Sequence, residues 1–318
     1  MQIEEDLSGP TGDLCEQRLA TAQLEGITAV FRDLGVDRPR AAALLEAVDE
    51  VPAASHIRAA KQAVEAAGIS VAGGDVERCL ILTGALHKLR ELPHLPVSRR
   101  VRALLCEELA WVASAPTAEF ARCGVGTARF VRLAKIATHT RWPAGQFEWE
   151  ISGIPRSDVL RVDPLLLPGT LAFLAWRLRG LGPVFFSHLN PRRPHRALLE
   201  DEANRSYFQM AQAMEQQPAI RGFAACSWFR SPETQRVSPH LAWLSRVFLE
   251  NGGWVVDAGK AGADCGALYR SSTRRALYEA GRFTPRKGLV VWPRRAMLGW
   301  AAAHPELAGP SPLEAQVG

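Results

Sequence analysis

The run Gln146-Phe-Glu-Trp-Glu-Ile-Ser152 sets two carboxylates, Glu148 and Glu150, two positions apart. Apolar and polar residues alternate there with the period of a strand. Phe147, Trp149 and Ile151 are therefore expected on one face and both carboxylates on the other. A carboxylate on a strand that lines a pocket is a natural general base for an amine substrate. The same alternation fits a solvated strand face, and it does not choose between Glu148 and Glu150. His188 falls at the end of a short predicted strand, Val184 to Ser187, where open α/β sheets place ligands. It could act as a base or orient a substrate; a capped or core histidine is the plainer reading. His240 follows Pro239 at a helix start and could serve catalysis or close the turn. Trp149 and Trp228 could line a pocket for an aromatic or acyl group, although most of the nine tryptophans are expected in cores.

Several other chemistries find no support. The six cysteines, at 15, 79, 106, 123, 226 and 265, form no Cys-x-x-Cys pair and no Cys/His spacing, which argues against a metal site and a disulfide framework. Cys226, inside a predicted strand, reads as buried and inert. No serine–histidine–acid triad can be assembled from spacing, and there is no Gly-x-Ser-x-Gly elbow. Arg122-Cys-Gly-Val-Gly-Thr127 has the glycines of a phosphate loop but no preceding strand, so a helix-capping turn is expected. Arg192, Arg193, His195 and Arg196 form one basic loop. Arg270, Arg274, Arg275 and Arg282 form a second group, and Arg286 and Lys287 follow just before Gly288. Each could bind phosphate or carboxylate, or form a solvated face. No helix carries enough arginines on one face to argue for nucleic acid.

The elements that must position these residues fall into two styles. The 318 residues are 47% hydrophobic and 22% charged, which excludes a disordered or fibrous chain and allows a core without staples. The net charge of +5 comes from 38 Lys and Arg against 33 Asp and Glu. The acidic start, Met1-Gln-Ile-Glu-Glu-Asp6, is unlike a signal peptide, and the longest apolar run, 165–176, is broken by Pro168 and Gly169. A cytoplasmic protein with no membrane partner is expected. Residues 1–13 read as a tail and 14–117 as a helical domain. Its last helix is capped by Ser98 and carries Val101, Leu104, Leu105, Leu109 and Val112. From 118 to 303 strands and helices mix: helices at 127–139, 170–179 and 197–215, and strands at 146–152, 159–162 and 184–187. The fold class is thus α/β (α+β), an N-terminal helical domain followed by a mixed sheet flanked by helices. Residues 304–318 read as a disordered tail.

The last third runs strand (220–229), turn (230–237), helix, strand (254–258), helix (272–280), strand (288–292). Ser238-Pro239 marks the first helix start, and Asn251-Gly252-Gly253 ends that helix. Pro232 and Gln235 stand three apart in the turn, and Leu277-Tyr-Glu-Ala-Gly281-Arg-Phe283 follows later. This segment resembles the GNAT N-acyltransferase superfamily. The resemblance implies a loop and helix N-terminus that hold the phosphates of a coenzyme A thioester, with Gln235, Arg236, Ser238 and His240 as the contacts. It implies Tyr278 as the acid that protonates the leaving thiolate, and places Ser227 and Trp228 near the acceptor; His188 and Trp149, from their own positions, are the further candidates for binding the substrate. The sequence departs from the family pattern at Ser238 and His240, where two small residues are usual, and at Arg230, which takes a hydrophobic slot.

Three readings follow. The first is a small-molecule N-acyltransferase in biosynthesis, with Glu148 or Glu150 accepting the amine proton. The second keeps the glutamate and drops the coenzyme, as in a Pictet–Spengler condensation of an aromatic amine to a β-carboline. The third is a non-catalytic ligand-binding module on a degenerate transferase fold, with a helical front half that could mediate a homodimer.

Overall fold

A computed structural model of the chain describes residues 94–114, 128–137, 139–192, 198–262 and 265–309. Expectations for residues 1–93, 115–127 and 310–318, including the first helices and the glycine-bearing stretch at 122–127, lie outside the described residues. The chain divides into two units, residues 1–95 with 99–143, and residues 96–98 with 144–318.

In the first unit the described elements are α1 (Arg99–Ser114), α2 (Ala128–Ala137) and the short strand β1 (Arg141–Pro143). Val101, Leu104, Leu105 and Leu109 of α1 are buried, as their helical spacing demands. So are Leu133 and Ile136 of α2. Arg132 Nη2 lies 2.9 Å from Glu108 Oε2, with both side chains buried.

The second unit carries β2 (Phe147–Ser152), α3 (Arg156–Leu160), α4 (Leu167–Trp176), β3 (Val184–Leu189), α5 (Glu200–Glu215), β4 (Gly222–Ser227) and α6 (Pro232–Val237). After these come α7 (Trp243–Glu250), β5 (Trp254–Lys260), α8 (Gly266–Tyr269), α9 (Ser272–Glu279), β6 (Arg286–Pro293) and α10 (Arg294–Ala302). Its strands lie in the order β2-β3-β4-β6-β5. β2 is antiparallel to β3, β3 is parallel to β4, and β6 is antiparallel to both β4 and β5. A parallel pair needs a crossover, and α5 provides it. Three acidic residues open α5, where the helix dipole favours them, and Ala203, Tyr207, Met210, Ala211 and Met214 form its buried stripe. Among the described residues, no helix is long and apolar enough to cross a membrane.

Strand alternation sorts the sheet into two faces. Val184, Phe186, Ala224, Leu289, Val291 and Val256 face α3 and α4, and pack with Val159 and Leu174. Phe147, Phe223 and Trp292 point the other way and meet α5 and α7. Tyr207 stacks on Phe147 at 5.4 Å, Phe223 stacks on Phe248 at 5.5 Å, and Trp292 meets Phe248 edge-on at 5.2 Å. Arg230, only 1% exposed, enters this aromatic cluster from the 3-10 turn Trp228–Arg230 that follows β4. Its guanidinium carbon lies 4.9 Å from the Phe147 ring centre, 5.4 Å from Phe229, 5.7 Å from Phe223 and 5.9 Å from Phe248. Arg230 Nη2 donates to Tyr207 Oη at 3.0 Å. Burial pushes the Tyr207 hydroxyl above its ordinary pKa, and Arg230 offsets this only in part. The hydroxyl therefore stays neutral.

Four local expectations are corrected. Residues 159–162 are not a strand. Pro155 precedes α3, and Val159 and Val162, three apart, both turn into the core as a helical turn allows. The strand expected to reach Phe229 stops at Ser227. The turn at 230–237 is largely the helix α6. Ser231-Pro232 is itself a helix-start pair, and Ser231 Oγ accepts from the Thr234 N–H. The second such pair, Ser238-Pro239, opens only a 3-10 turn, and Ser238 makes no side-chain cap.

Tyr207→Phe removes the acceptor of a buried charged donor while leaving the ring stack intact. A loss of about 1.5–3 kcal/mol is expected in urea unfolding. An unchanged midpoint would show that the hydroxyl contributes nothing to holding Arg230.

Candidate active site at the parted end of the sheet

β3 and β4 pair at only three positions, Phe185 with Phe223, Phe186 with Ala224, and Ser187 with Ala225. Beyond these, β3 continues to Leu189 and remains paired with β2, Leu189 opposite Phe147. β4 continues to Ser227 and remains paired with β6, Ser227 opposite Gly288. The ladder between the two parallel strands thus stops at their C-terminal ends, the place where open α/β sheets take ligands.

Glu148, Glu150, His188 and Cys226 share the face that carries Phe186 and Ala224. Glu148 stands opposite His188 in the register and is fully buried. Glu150 Oε1 lies 3.4 Å from His188 Nε2, with the Glu150 side chain 15% and the His188 side chain 31% exposed. The two carboxylates do lie on one strand face, and their accessibility separates them. Glu150 and His188 form a carboxylate–imidazole pair that solvent can reach. On the same strand Phe147 and Trp149 are buried, while Ile151 is largely exposed.

Cys226 is next to Asp158 of α3. Burial, and then the Asp158 carboxylate, push its thiol up to about 12 against the opposing pull of Lys287. The sulfur is a neutral thiol at physiological pH and a poor nucleophile. On the opposite face, Ser187 ends the parallel ladder and Ser227 lies two residues further along β4 than its partner Ala225. The Oγ atoms of both serines are buried and lack a hydrogen-bond partner among the described residues. Such hydroxyls suit a bound polar group. Just past β3, Asn190 Oδ1 accepts from the Arg192 N–H at 3.0 Å, an Asx turn that begins the basic loop. Arg192 is exposed, and residues 193–197 lie outside the described residues.

The residues named as donor contacts occupy the segment after β4. Gln235 Nε2 donates to Phe229 O at 3.2 Å and to Ser245 Oγ at 2.7 Å, tying α6 to the 3-10 turn and to α7. Arg236 pairs with Glu233 on the surface. Ser238 is buried and accepts from Arg274 Nη1 at 3.0 Å; the same guanidinium lies 4.9 Å from the Trp228 ring. His240 and Tyr278 are exposed. The Leu277–Phe283 run forms a helix end. Gly281 has φ +67, its N–H donates to Tyr278 O, and the Arg282 N–H donates to Leu277 O. The structure places Glu148, Trp149 and Glu150 on β2, His188 on β3 and Ser227 at the end of β4, with Trp149 and Ser227 on the sheet face opposite Glu148, Glu150 and His188, while Trp228 and Ser238 share Arg274. Sequence reasoning missed Ser187 and the Asp158 neighbour of Cys226. Their only sequence signal was position near a strand or helix end.

Ser231 also donates to Asp257 Oδ1 at 2.5 Å, so β5 holds the cap of α6. Arg286 Nε lies 3.7 Å from Asp257 Oδ2. Burial raises the Asp257 pKa above its ordinary value, and Ser231 and Arg286 offset this only in part. A carboxyl raised in the folded state binds its proton more tightly there than in the unfolded chain. Its contribution to stability is complete below the unfolded pKa and is lost as pH rises through the folded one. Asp257→Asn keeps an acceptor for Ser231 without the charge. Urea unfolding from pH 4 to 7 should show the variant losing less stability with rising pH than the parent, and equalling or exceeding it at pH 7. A variant clearly weaker at pH 7 would contradict this.

Cys226 labelling by iodoacetamide at pH 8, followed by peptide mass spectrometry, should run roughly a thousandfold slower in the folded protein than in urea, from thiolate fraction alone. Comparable rates would mean the thiol is not held neutral. No protein-family model matches the chain, and no curated protein does. Among solved structures the chain is similar to an acyltransferase in complex with CoA and 10C-teicoplanin, at 12% identity and a TM-score of 0.43, over 69% of this chain and 66% of that one. It is also similar to an acyltransferase in complex with decanoyl-CoA, at 15% identity and a TM-score of 0.39, over 84% of this chain and 99% of the other. At this level of similarity no reaction transfers from those proteins to this chain.

Proposed function

We propose that the opening between β3 and β4 is an acyl-transfer site that takes a thioester donor and a small amine acceptor. The observation that carries this reading is the early end of the parallel ladder, with the Glu150–His188 pair at its mouth. The amine nitrogen attacks the thioester carbonyl carbon. A C–N bond forms, the C–S bond breaks, and Glu150 takes the amine proton with His188 beside it. The leaving thiolate takes a proton from Tyr278, the role that the GNAT resemblance assigns to it. Transfer is direct, because the neutral Cys226 thiol is unsuited to forming an acyl-enzyme. Ser187 and Ser227 supply hydroxyls beside the opening. Donor phosphates would meet the segment after β4, where Arg236 and His240 reach solvent.

Titration of the purified protein with coenzyme A and acetyl-coenzyme A in a thermal-shift assay tests the donor. Saturation at about 100 times the dissociation constant stabilises by roughly 2.7 kcal/mol, a readable upward shift. Glu150→Gln should keep that shift and lower turnover with an accepted amine by at least about a hundredfold. Absence of any shift at millimolar coenzyme A would sink the acyl-transfer reading. An unchanged turnover in Glu150→Gln would remove Glu150 as the base.

A further inference from the structure

The end of the sheet opposite the parted strands holds a groove of about 950 Å³. Five arginines line it: Arg177 and Arg179 after α4, Arg221 before β4, and Arg294 and Arg295 at the start of α10. No Asp or Glu is among its lining residues. Two of the arginines are held by the protein. Arg294 Nη1 donates to the carbonyls of Met214, Gln217 and Ile220, which closes the end of α5, and Arg221 donates to the carbonyl of Arg179. The other three, Arg177, Arg179 and Arg295, are exposed, and their side chains make no hydrogen bond or ion pair among the described residues. Trp176 stands at the same rim with 81% of its surface exposed.

This concentration of positive charge was not visible along the chain, because its members come from separate segments. Leaving so many like charges in one groove raises the energy of the free protein, and an anionic ligand relieves it. Guanidinium groups match phosphate oxygens in a fixed, bidentate geometry. The open Trp176 indole offers a face on which a base can stack, with cation–π support from a neighbouring arginine. A carboxylate-rich peptide would satisfy the arginines and leave the indole without a planar partner. From this combination we infer that the groove binds a nucleotide, either free or within a single strand of nucleic acid. It is separate from the proposed acyl-transfer site. Gly222 pairs with Pro293 at the groove end of β4, whereas Ser227 marks the parted end, roughly 17 Å away at strand rise.

Fluorescence anisotropy with a labelled oligothymidylate, at about 50 mM salt, is the direct test. ADP, coenzyme A and polyglutamate serve as competitors. The oligonucleotide or ADP should bind, and binding should weaken at least about tenfold in Arg179→Glu and in Arg295→Glu. Trp176→Ala should weaken it about fivefold or more. Melting temperatures should stay unchanged, since all three side chains are exposed. Should a charge reversal destabilise the protein, Arg179→Gln and Arg295→Gln serve in its place, with smaller losses in the same direction. Competition by ADP at similar concentration identifies a free nucleotide; binding of the oligonucleotide alone identifies a single strand. A fluorescently labelled ADP serves as a second probe in the same assay; the inference is overturned if neither probe binds, if the groove variants bind as the parent does, or if polyglutamate competes as well as unlabelled oligonucleotide. It is also overturned if coenzyme A displaces the probe while the groove variants leave affinity unchanged, which would place the probe in the acyl-transfer cleft. Coenzyme A carries an ADP moiety of its own, so a coenzyme A thermal shift that persists in Arg179→Glu and Arg295→Glu belongs to the acyl-transfer site, and one that these variants abolish belongs to the groove; read this way the two sites can fail separately.

Discussion

A guanidinium buried among phenyl rings is the constraint on which the second unit is organised. Arg230 cannot be left unsolvated without recompense, and it meets the faces of Phe147, Phe223, Phe229 and Phe248 and the Tyr207 hydroxyl. These partners come from β2, β4, the turn after β4, α7 and α5. One side chain therefore fixes how both covering helices sit on that face of the sheet. It also fixes the chain immediately after β4, which lies close over β6. A Cβ at Gly288 would stand 2.2 Å from the Arg230 carbonyl oxygen, so no side chain fits there. Ser231 follows at once, capping α6 and binding Asp257.

That anchoring bears on the opening of the sheet. β4 is held by β6 to its last residue, and β3 is held by β2 to its last residue, while the ladder between β3 and β4 ends early. The opening is bounded by two well-paired ribbons. The side chains it presents differ in character on the two faces. One carries the Glu150–His188 pair and the neutral Cys226, and the other carries Ser187 and Ser227 at the edge of the aromatic cluster.

Arginine serves at least three physical ends in this chain. Arg230 and Arg274 are buried against aromatic rings, where a planar, weakly hydrated cation is tolerated better than an ammonium. Arg294 gathers the carbonyls that end α5. Arg177, Arg179 and Arg295 reach solvent around one groove. A count of charged residues hides these differences: Arg177 still lies 5.9 Å from the Phe173 ring, whereas the Arg179 and Arg295 side chains make no hydrogen bond, ion pair or ring contact among the described residues.

Local pattern in the sequence determined much of the architecture. Alternation at 147–152 identified β2, an apolar stripe identified α1, and Gly252 marked a real helix end, with a positive φ. The mixed sheet with flanking helices followed from the order of these elements. Local signals failed where two meanings share one pattern. Ser-Pro occurs at 231 and at 238, and only the first caps a helix with its side chain. Val159 and Val162 look like strand residues, yet Pro155 opens α3, Val159 is its inward side, and Val162 turns into the core from the bend that follows, its N–H donating to Val159 O. The site depended on nonlocal pairing. Nothing in the residues near 187 or 225 says that their ladder stops there, because a strand's register belongs to two segments at once. For the same reason only the tertiary structure separates Glu148 from Glu150, gives the Cys226 thiol its acidic neighbour, and gathers arginines from separate segments into one groove. Period and capping are properties of a few consecutive residues, whereas burial, pairing and electrostatic environment are set by residues far apart in the chain.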